Sequence, residues 1–374
     1  MRKIIILIEK FVNKCRYWRA KYVFKKRYRN ICHINNISNI NEEGEDEWLK
    51  KWHRLDPHIS SLQYRVFSKY IGANQNIVPE ETSHFFVEPI LNSKEMAAYY
   101  SDKNMFDKIL PHDVLPKTIL RRINGFFYDA SYRFISLSDA ALKDLLISSN
   151  CSKIIIKPTV GGESGKGVQL FCLDEMGGGK NVVTNEKMSI NYLTTMCGDN
   201  FIIQEAVSQH DYISQFNSSS VNTLRLAMYR SVNDNQCHLV GAIMRIGSSG
   251  SVVDNAHAGG CFVGIKSDGT FCKYVCNQYG QKFQLFNGVD FSNEYKYPNW
   301  DKVIDFGKDV AHQLIHNRLV ALDIALKKDG KPVLIEYNIT PGTYSMWLFQ
   351  YTVGPAYGEF ADEIINYCIN NKQK

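Results

Sequence analysis

LVALDIALKKDGKPVLIEYNITPG, residues 319–342, is two apolar runs around a turn, and three polar side chains interrupt one face of it. Asp329-Gly330 is the preferred pair for a two-residue hairpin turn, and such a turn puts Asp323 opposite Glu336. Side chains alternate along a strand, so Asn338 projects from the same face as Glu336. Two facing carboxylates at roughly 5 Å repel each other and destabilise a sheet unless something positive lies between them. Two acids and one amide form an all-oxygen set of the kind a hard divalent cation such as magnesium prefers. The alternative is an ordinary hairpin with solvated acids. Leu322, Ile324, Leu334 and Ile335 weigh against it, because so apolar a ribbon is not freely exposed.

With 374 residues, the chain has room for two domains or three small ones at ~100 to 200 residues each. Hydrophobic content of 44% and charged content of 22% are those of a soluble globular protein. No run approaches the ~18 apolar residues of a membrane-spanning helix. Residues 4–8 (IIILI) follow a basic pair, but Glu9 and Lys10 end the run too early for a signal peptide. The formal charge of +6 is unevenly placed: the first 30 residues hold 11 of the 44 lysines and arginines and one of the 38 acids. That segment therefore carries +10 (11 − 1) and the remainder −4 (33 − 37). Phe11, Tyr17, Trp18, Tyr22, Phe24 and Tyr28 interleave its basic residues, which suits either an anionic membrane surface or a basic helix packing its rings on the body. Nucleic acid is the poorer partner, since the body has no basic excess. Ten scattered cysteines without a CxxC pair read as reduced thiols of a cytosolic protein.

After the basic arm, acidity from Glu42 to Glu47 marks a polar link, and the pattern from 48 to 110 is mostly helical, broken at Asp56-Pro57 and Val78-Pro79. From about 115 strands dominate: Lys153 to Lys157, Val168 to Leu173, Phe201 to Val207, Val221 to Arg230, His238 to Ile246, Cys261 to Lys266 and the terminal hairpin. Asp301 to Asn317 reads as a helix, with Val303, Phe306, Val310 and Leu314 forming an apolar stripe for the core. The expected class is α+β with mainly antiparallel sheets.

KIIIKPTVGGESGKGVQLF, residues 153–171, is a strand, a glycine-dense loop and a second strand. Gly161, Gly162, Gly165 and Gly167 allow positive φ and bring amide N–H groups close to an anion, as a phosphate-covering loop requires. It is not a Walker A loop: only three residues separate Gly161 from Gly165, and Gly167 stands where Ser or Thr is required. A plain glycine-rich hairpin is the alternative. Lys157, ending an apolar strand, favours the phosphate reading, because a buried ammonium needs a partner.

Over roughly residues 95–350 the chain resembles the ATP-grasp proteins, most nearly the sugar-transfer-associated ATP-grasp group of polysaccharide biosynthesis. The resemblance implies two α+β subdomains gripping a nucleotide behind a helical N-terminal region. It divides the chain into an arm and acidic linker at 1–47, a helical region at 48–114, a small subdomain with a glycine-rich lid at 115–207 and a large subdomain with the metal site at 208–374. It also implies that Lys103, on a helix in SDKNMFDKIL, and Lys157 hold the phosphates of ATP, with Gly161, Gly162, Ser164, Gly165 and Gly167 covering them. FIIQEAV resembles an adenine-binding hinge, giving Gln204, Glu205 and the Val207 backbone, with Asp211 on the ribose. VNTLRLAMYR, GAIMRIG and DNAHAGG resemble the run that sets Arg225, Arg245 and Asn255 around the transferred phosphoryl group, and His257 falls where a substrate carboxylate or phosphate lies. Read without the resemblance, Lys103 is a helix-surface lysine, and Arg225 and Arg245 are strand arginines that Asp254 or Glu336 would satisfy as well as a ligand. Asp323, Glu336 and Asn338 match the magnesium ligands of the group in order and spacing.

The activity so implied is ATP-dependent amide formation through an acyl phosphate, joining an amine, an amino acid among the candidates, to a uronic-acid-containing sugar of a capsule or O-antigen. The expected setting is the cytoplasm, with residues 1–30 touching the inner face of the membrane. Phosphotransfer to a hydroxyl and a non-catalytic nucleotide-binding subunit are the other readings left open.

Overall fold

The computed structural model describes residues 2–38, 40–161, 165–251, 254 and 259–371, with only the helical backbone of 2–7, 9 and 10. Two antiparallel sheets dominate. The smaller has six strands, β1 (Thr118–Ile123), β2 (Phe126–Asp129), β3 (Lys153–Pro158), β4 (Gln169–Leu173), β5 (Gly179–Asn181) and β6 (Phe201–Glu205), in the order β2-β1-β6-β3-β4-β5. The larger draws on β7 (Leu224–Arg230), β8 (Cys237–Ile246), β9 (Cys261–Ile265), β10 (Phe271–Cys276) and β11 (Lys282–Phe283). After a small ribbon of β12 (Leu285–Phe286) and β13 (Val289–Asp290) it is completed by β14 (Leu319–Leu326) and β15 (Pro332–Asn338), in the order β11-β10-β9-β8-β7-β14-β15. The α+β, antiparallel expectation holds.

Along β7 and β14 the side chains alternate between two apolar clusters. Leu224, Leu226 and Met228 with Val320, Leu322 and Ile324 pack under the helix Trp300–Gln313. On the other face, Ala227, Tyr229, Leu319 and Ala321 meet a layer of N-terminal helices, α1 (Arg2–Ile34), α2 (Glu45–Trp52) and α3 (Leu62–Ile71). Trp48 and Trp52 anchor that layer, fully buried with both indole N–H groups satisfied by the carbonyls of Ile77 and Gln75. From Tyr17 onward α1 is tied to it by charge: Tyr17 and Lys21 reach Asp56, Lys21 also meets Glu81, and Arg27 and Tyr28 hold Glu80. Packing on the body is thus correct for Tyr17, Phe24 and Tyr28, whereas Phe11, Trp18 and Tyr22 stay exposed. No helix among the described residues is long and apolar enough to cross a membrane.

Three local expectations need correction. The hairpin turn is not two residues long: Lys327 pairs with Lys331, and Lys328, Asp329 and Gly330 form the loop, with Gly330 at φ +79° closing it in the left-handed region. That shifts the pairing by one, so Ile324 faces Leu334, but a bulge at Ile335 restores the register and Asp323 faces Glu336 after all. The helix ends at Gln313 because Leu314 leaves helical conformation and buries itself. The strand expected from Val221 begins at Leu224, because the side chains of Gln209 and Asp254 take the backbone N–H groups of Asn222 and Thr223.

Trp48→Ala removes a fully buried indole from the helical layer and is expected to lower unfolding stability by about 3–5 kcal/mol, read from the urea midpoint.

Candidate active site

The face of β7 and β14 that is apolar under the helical layer turns charged at its far end. Ala227 gives way to Arg225 and Ala321 to Asp323, the two being cross-strand partners. Arg225 donates from Nε and Nη2 to both Asp323 oxygens, each at 2.8 Å, while Nη1 reaches the Ser345 hydroxyl at 3.0 Å. Arg245 on β8 donates to Asp254 at 3.0 Å and to the Thr223 hydroxyl at 3.0 Å, and lies 3.6 Å from Asp323. Glu336 and Asn338 complete the face from β15, with the Asn338 amide 3.3 Å from Asp323. The opposed acids therefore have cations within the fold, and Arg225 is satisfied by Asp323 rather than by Asp254 or Glu336.

Both lysines arrive from outside this sheet. Lys157, at the end of β3, donates to the Ile335 carbonyl at 3.2 Å, a carbonyl at the bulge of an edge strand. Lys103 pairs with Glu336 at 2.9 Å. It stands not on a regular helix but on the 3-10 turn Lys103–Met105, because Asp102 caps the Asn104 N–H and ends the preceding helix at Ser101. The Lys103 N–H bonds the Thr159 carbonyl just beyond β3, which holds the two lysines side by side.

Four cations, Lys103, Lys157, Arg225 and Arg245, thus meet three acids, Asp254, Asp323 and Glu336. Lys157 is the cation without an acid among the described residues. Burial, and secondarily the Lys103 charge, lowers its pKa to about 8 despite the pull of Glu336. Burial alone would raise the Asp323 pKa, but Arg225 and Arg245 outweigh it and hold the carboxylate below its usual range. Burial likewise works against the Arg245 charge and is overcome by Asp254, Asp323 and Glu336, which leave its pKa above the ordinary value. The cluster is pre-charged to receive an anion.

Gln204 and Glu205 end β6, at the passage from the small sheet to the large one. The Gln204 amide donates to the Pro116 carbonyl and the Thr118 hydroxyl, but its Oε1 is buried without a partner among the described residues. Glu205 accepts from the Lys117 N–H at 3.3 Å, and Val207 follows in coil. Asp211 does not join the charged cluster. It is exposed, 3.9 Å from Lys328, on the rim of a cavity of about 460 Å³ lined also by Gln215, Asn217, Ser249 and Asn287. No member of the cluster lines that cavity, so charge rather than volume marks the site. Gly161, Gly165 and Gly167 take positive φ between 71° and 78°, as a phosphate loop requires. Gly162, Ser164, Asn255 and His257 lie outside the described residues.

Three contributors escape sequence reasoning. Thr223, just before β7, donates its hydroxyl to Asp254, and its place two residues before Arg225 is its one signal in the sequence. Ser345, with φ +53°, supports Arg225. Glu88, buried in the helical layer, accepts from the Gly342 N–H at 2.7 Å and pins the loop after β15. Nothing in a linear reading links Glu88 to Gly342.

Arg225→Ala strands the Asp323 charge in the interior and is expected to cost about 3–5 kcal/mol of stability, measured by denaturant titration. With a pKa near 8, Lys157 is partly neutral at pH 8, and an anion bound beside it would hold it charged. Calorimetry in two buffers of different ionisation enthalpy should then show proton uptake on binding of ATP at pH 8, absent in Lys157→Met.

No curated protein matches the sequence. Among solved structures the fold is similar to D-cycloserine synthetase at 12% identity, covering 76% of this chain and 74% of that one with a TM-score of 0.40. It is similar to D-alanine–D-alanine ligase of Bacillus anthracis at 13%, 75%, 70% and 0.40, and to biotin carboxylase of Campylobacter jejuni at 11%, 76%, 49% and 0.42 in the same order. The description of sugar-transfer associated ATP-grasp matches residues 83–357, which takes in both sheets, the charged cluster and the loop pinned by Glu88, and the chain belongs to that family.

Proposed function

We propose that the chain is an ATP-dependent carboxylate–amine ligase whose carboxylate is borne by a uronic-acid-containing sugar of a capsule or O-antigen. The observation that carries the reading is the buried surplus of cations around Lys157, set beside two acids and an amide that share one sheet face. ATP fits it on three counts. Its phosphates supply the acid that Lys157 lacks, and Lys103 can leave Glu336 for them. The adenine amino group is a donor suited to the orphaned Gln204 Oε1. The glycines at 161, 165 and 167 present backbone without Cβ atoms where phosphates need close approach. The family's description supports a sugar as the other substrate.

The donor set also fits magnesium. Asp323 keeps one Oδ1 lone pair beyond its bonds to Arg225 and Asn338, Glu336 is about one-third exposed, and Asn338 offers Oδ1 once its amide turns. A cation bound there supplies charge neutralisation of the triphosphate. Lys157, Lys103 and Arg245 would draw the γ-phosphate toward the sheet and offset charge as a substrate carboxylate oxygen attacks the phosphorus and the bond to the bridging oxygen breaks. The amine then attacks the acyl carbon, inorganic phosphate leaves and the nitrogen loses a proton. No protein nucleophile is required.

Incubation with ATP, magnesium, a uronic-acid sugar and hydroxylamine should yield ADP, inorganic phosphate and a hydroxamate. Glu336→Gln should lower kcat by about 10²-fold or more. ADP formed with a phosphorylated product and no free phosphate would point to a kinase, and no nucleotide turnover with any carboxylate to a binding subunit.

A further inference from the structure

Among the described side chains of α1, seven leave large apolar groups or a thiol in water: Ile8, Phe11, Val12, Cys15, Trp18, Tyr22 and Val23, with the Trp18 ring centroid also 5.0 Å from that of His58. Ile8, Phe11, Cys15, Trp18 and Tyr22 follow one another by three and four residues, so they form a single stripe along the helix. The residues that fix α1 to the body, Tyr17, Lys21, Phe24, Arg27 and Tyr28, occupy the opposite side. Side chains from Phe11 to Arg16 are exposed all round, so this part of the helix extends past its support. Lys14, Arg16, Arg19, Lys25, Lys26 and Arg29 flank the stripe, all exposed and without an ion pair among the described residues. The chain has five tryptophans, and Trp18, 47% exposed, is the one in water.

We infer that this face of α1 docks on an anionic lipid surface, its rings at headgroup level and its basic residues over the lipid phosphates. Trp and Tyr suit that boundary because an apolar ring carries a polar handle. Each basic residue brought to such a surface strengthens binding roughly five-fold, and six are placed for it. A second copy is the poorer occupant. The three-four spacing is that of a coiled-coil seam, but the positions beside it would set Lys14 of one helix against Arg19 of the other, and like charges there oppose pairing. RNA is poorer too, since the remaining residues are net acidic. The inference stands independently of the ligase reading.

The full chain is sedimented with vesicles of phosphatidylcholine alone and of equal parts phosphatidylcholine and phosphatidylglycerol, and its tryptophan emission is recorded. Docking predicts pelleting with the mixed vesicles only, weakened by salt, with a blue shift that Trp18→Phe removes. Lys14→Gln and Arg19→Gln should each weaken pelleting roughly five-fold. Equal pelleting with both vesicles, none with either, or a shift that survives Trp18→Phe would overturn the inference. So would a dimer in solution that Trp18→Ala dissolves, or tighter binding to single-stranded RNA than to the mixed vesicles.

Discussion

The site rests on a charge that cannot be left alone. Asp323 is buried on the penultimate strand of the large sheet, where an unpaired carboxylate costs several kcal/mol, and a bidentate guanidinium from the adjacent strand removes that cost. The pair marks where the sheet changes character. Below it, Ala227, Tyr229, Leu319 and Ala321 are sealed under the N-terminal helices; at Arg225 and Asp323 the same face turns charged. The helical layer therefore ends where the charged cluster begins, and Glu88 reaching Gly342 fixes the layer to the loop after β15.

The two lysines enter from the other sheet, and only one brings a partner. Lys103 neutralises Glu336, whereas Lys157 spends its ammonium on a main-chain carbonyl. A carbonyl offers a partial charge, too little to offset the removal of an ammonium from water, and the depressed pKa follows. The charged cluster is thus complete on the large sheet and unfinished at its border with the small one, which is where a mobile anion has most to offer.

The antiparallel α+β class, the strand-loop-strand around the glycines and the facing of Asp323 with Glu336 are legible in the sequence, because alternation and turn chemistry are local. The last rests on two offsets that cancel: an Asp-Gly turn suggests two residues where three are used, and the bulge at Ile335 takes the slip back. Apolar Ile335 gives no sign of a bulge. The identity of the cations was less legible. Arg225 and Arg245 announce themselves as charges in apolar strands, but which acid each meets depends on strand order, and β14 lies beside β7 across 98 residues of chain. Asp211 opens a short helix beyond β6 and stands in solvent 3.9 Å from Lys328, a position that no local sequence pattern fixes.

That separation also sets an order of events. Contacts between distant segments form late in folding and late in synthesis, because the intervening loop must close first. β7 and β8 are made with Arg225 and Arg245 in place, and Arg245 already has Asp254, but Asp323 follows only with β14, so until then Arg225 lacks its acid and β7 keeps an unpaired edge. An unfinished chain therefore presents an open strand edge with an unpaired guanidinium on it, and its hazard is association with other strands until β14 closes the sheet.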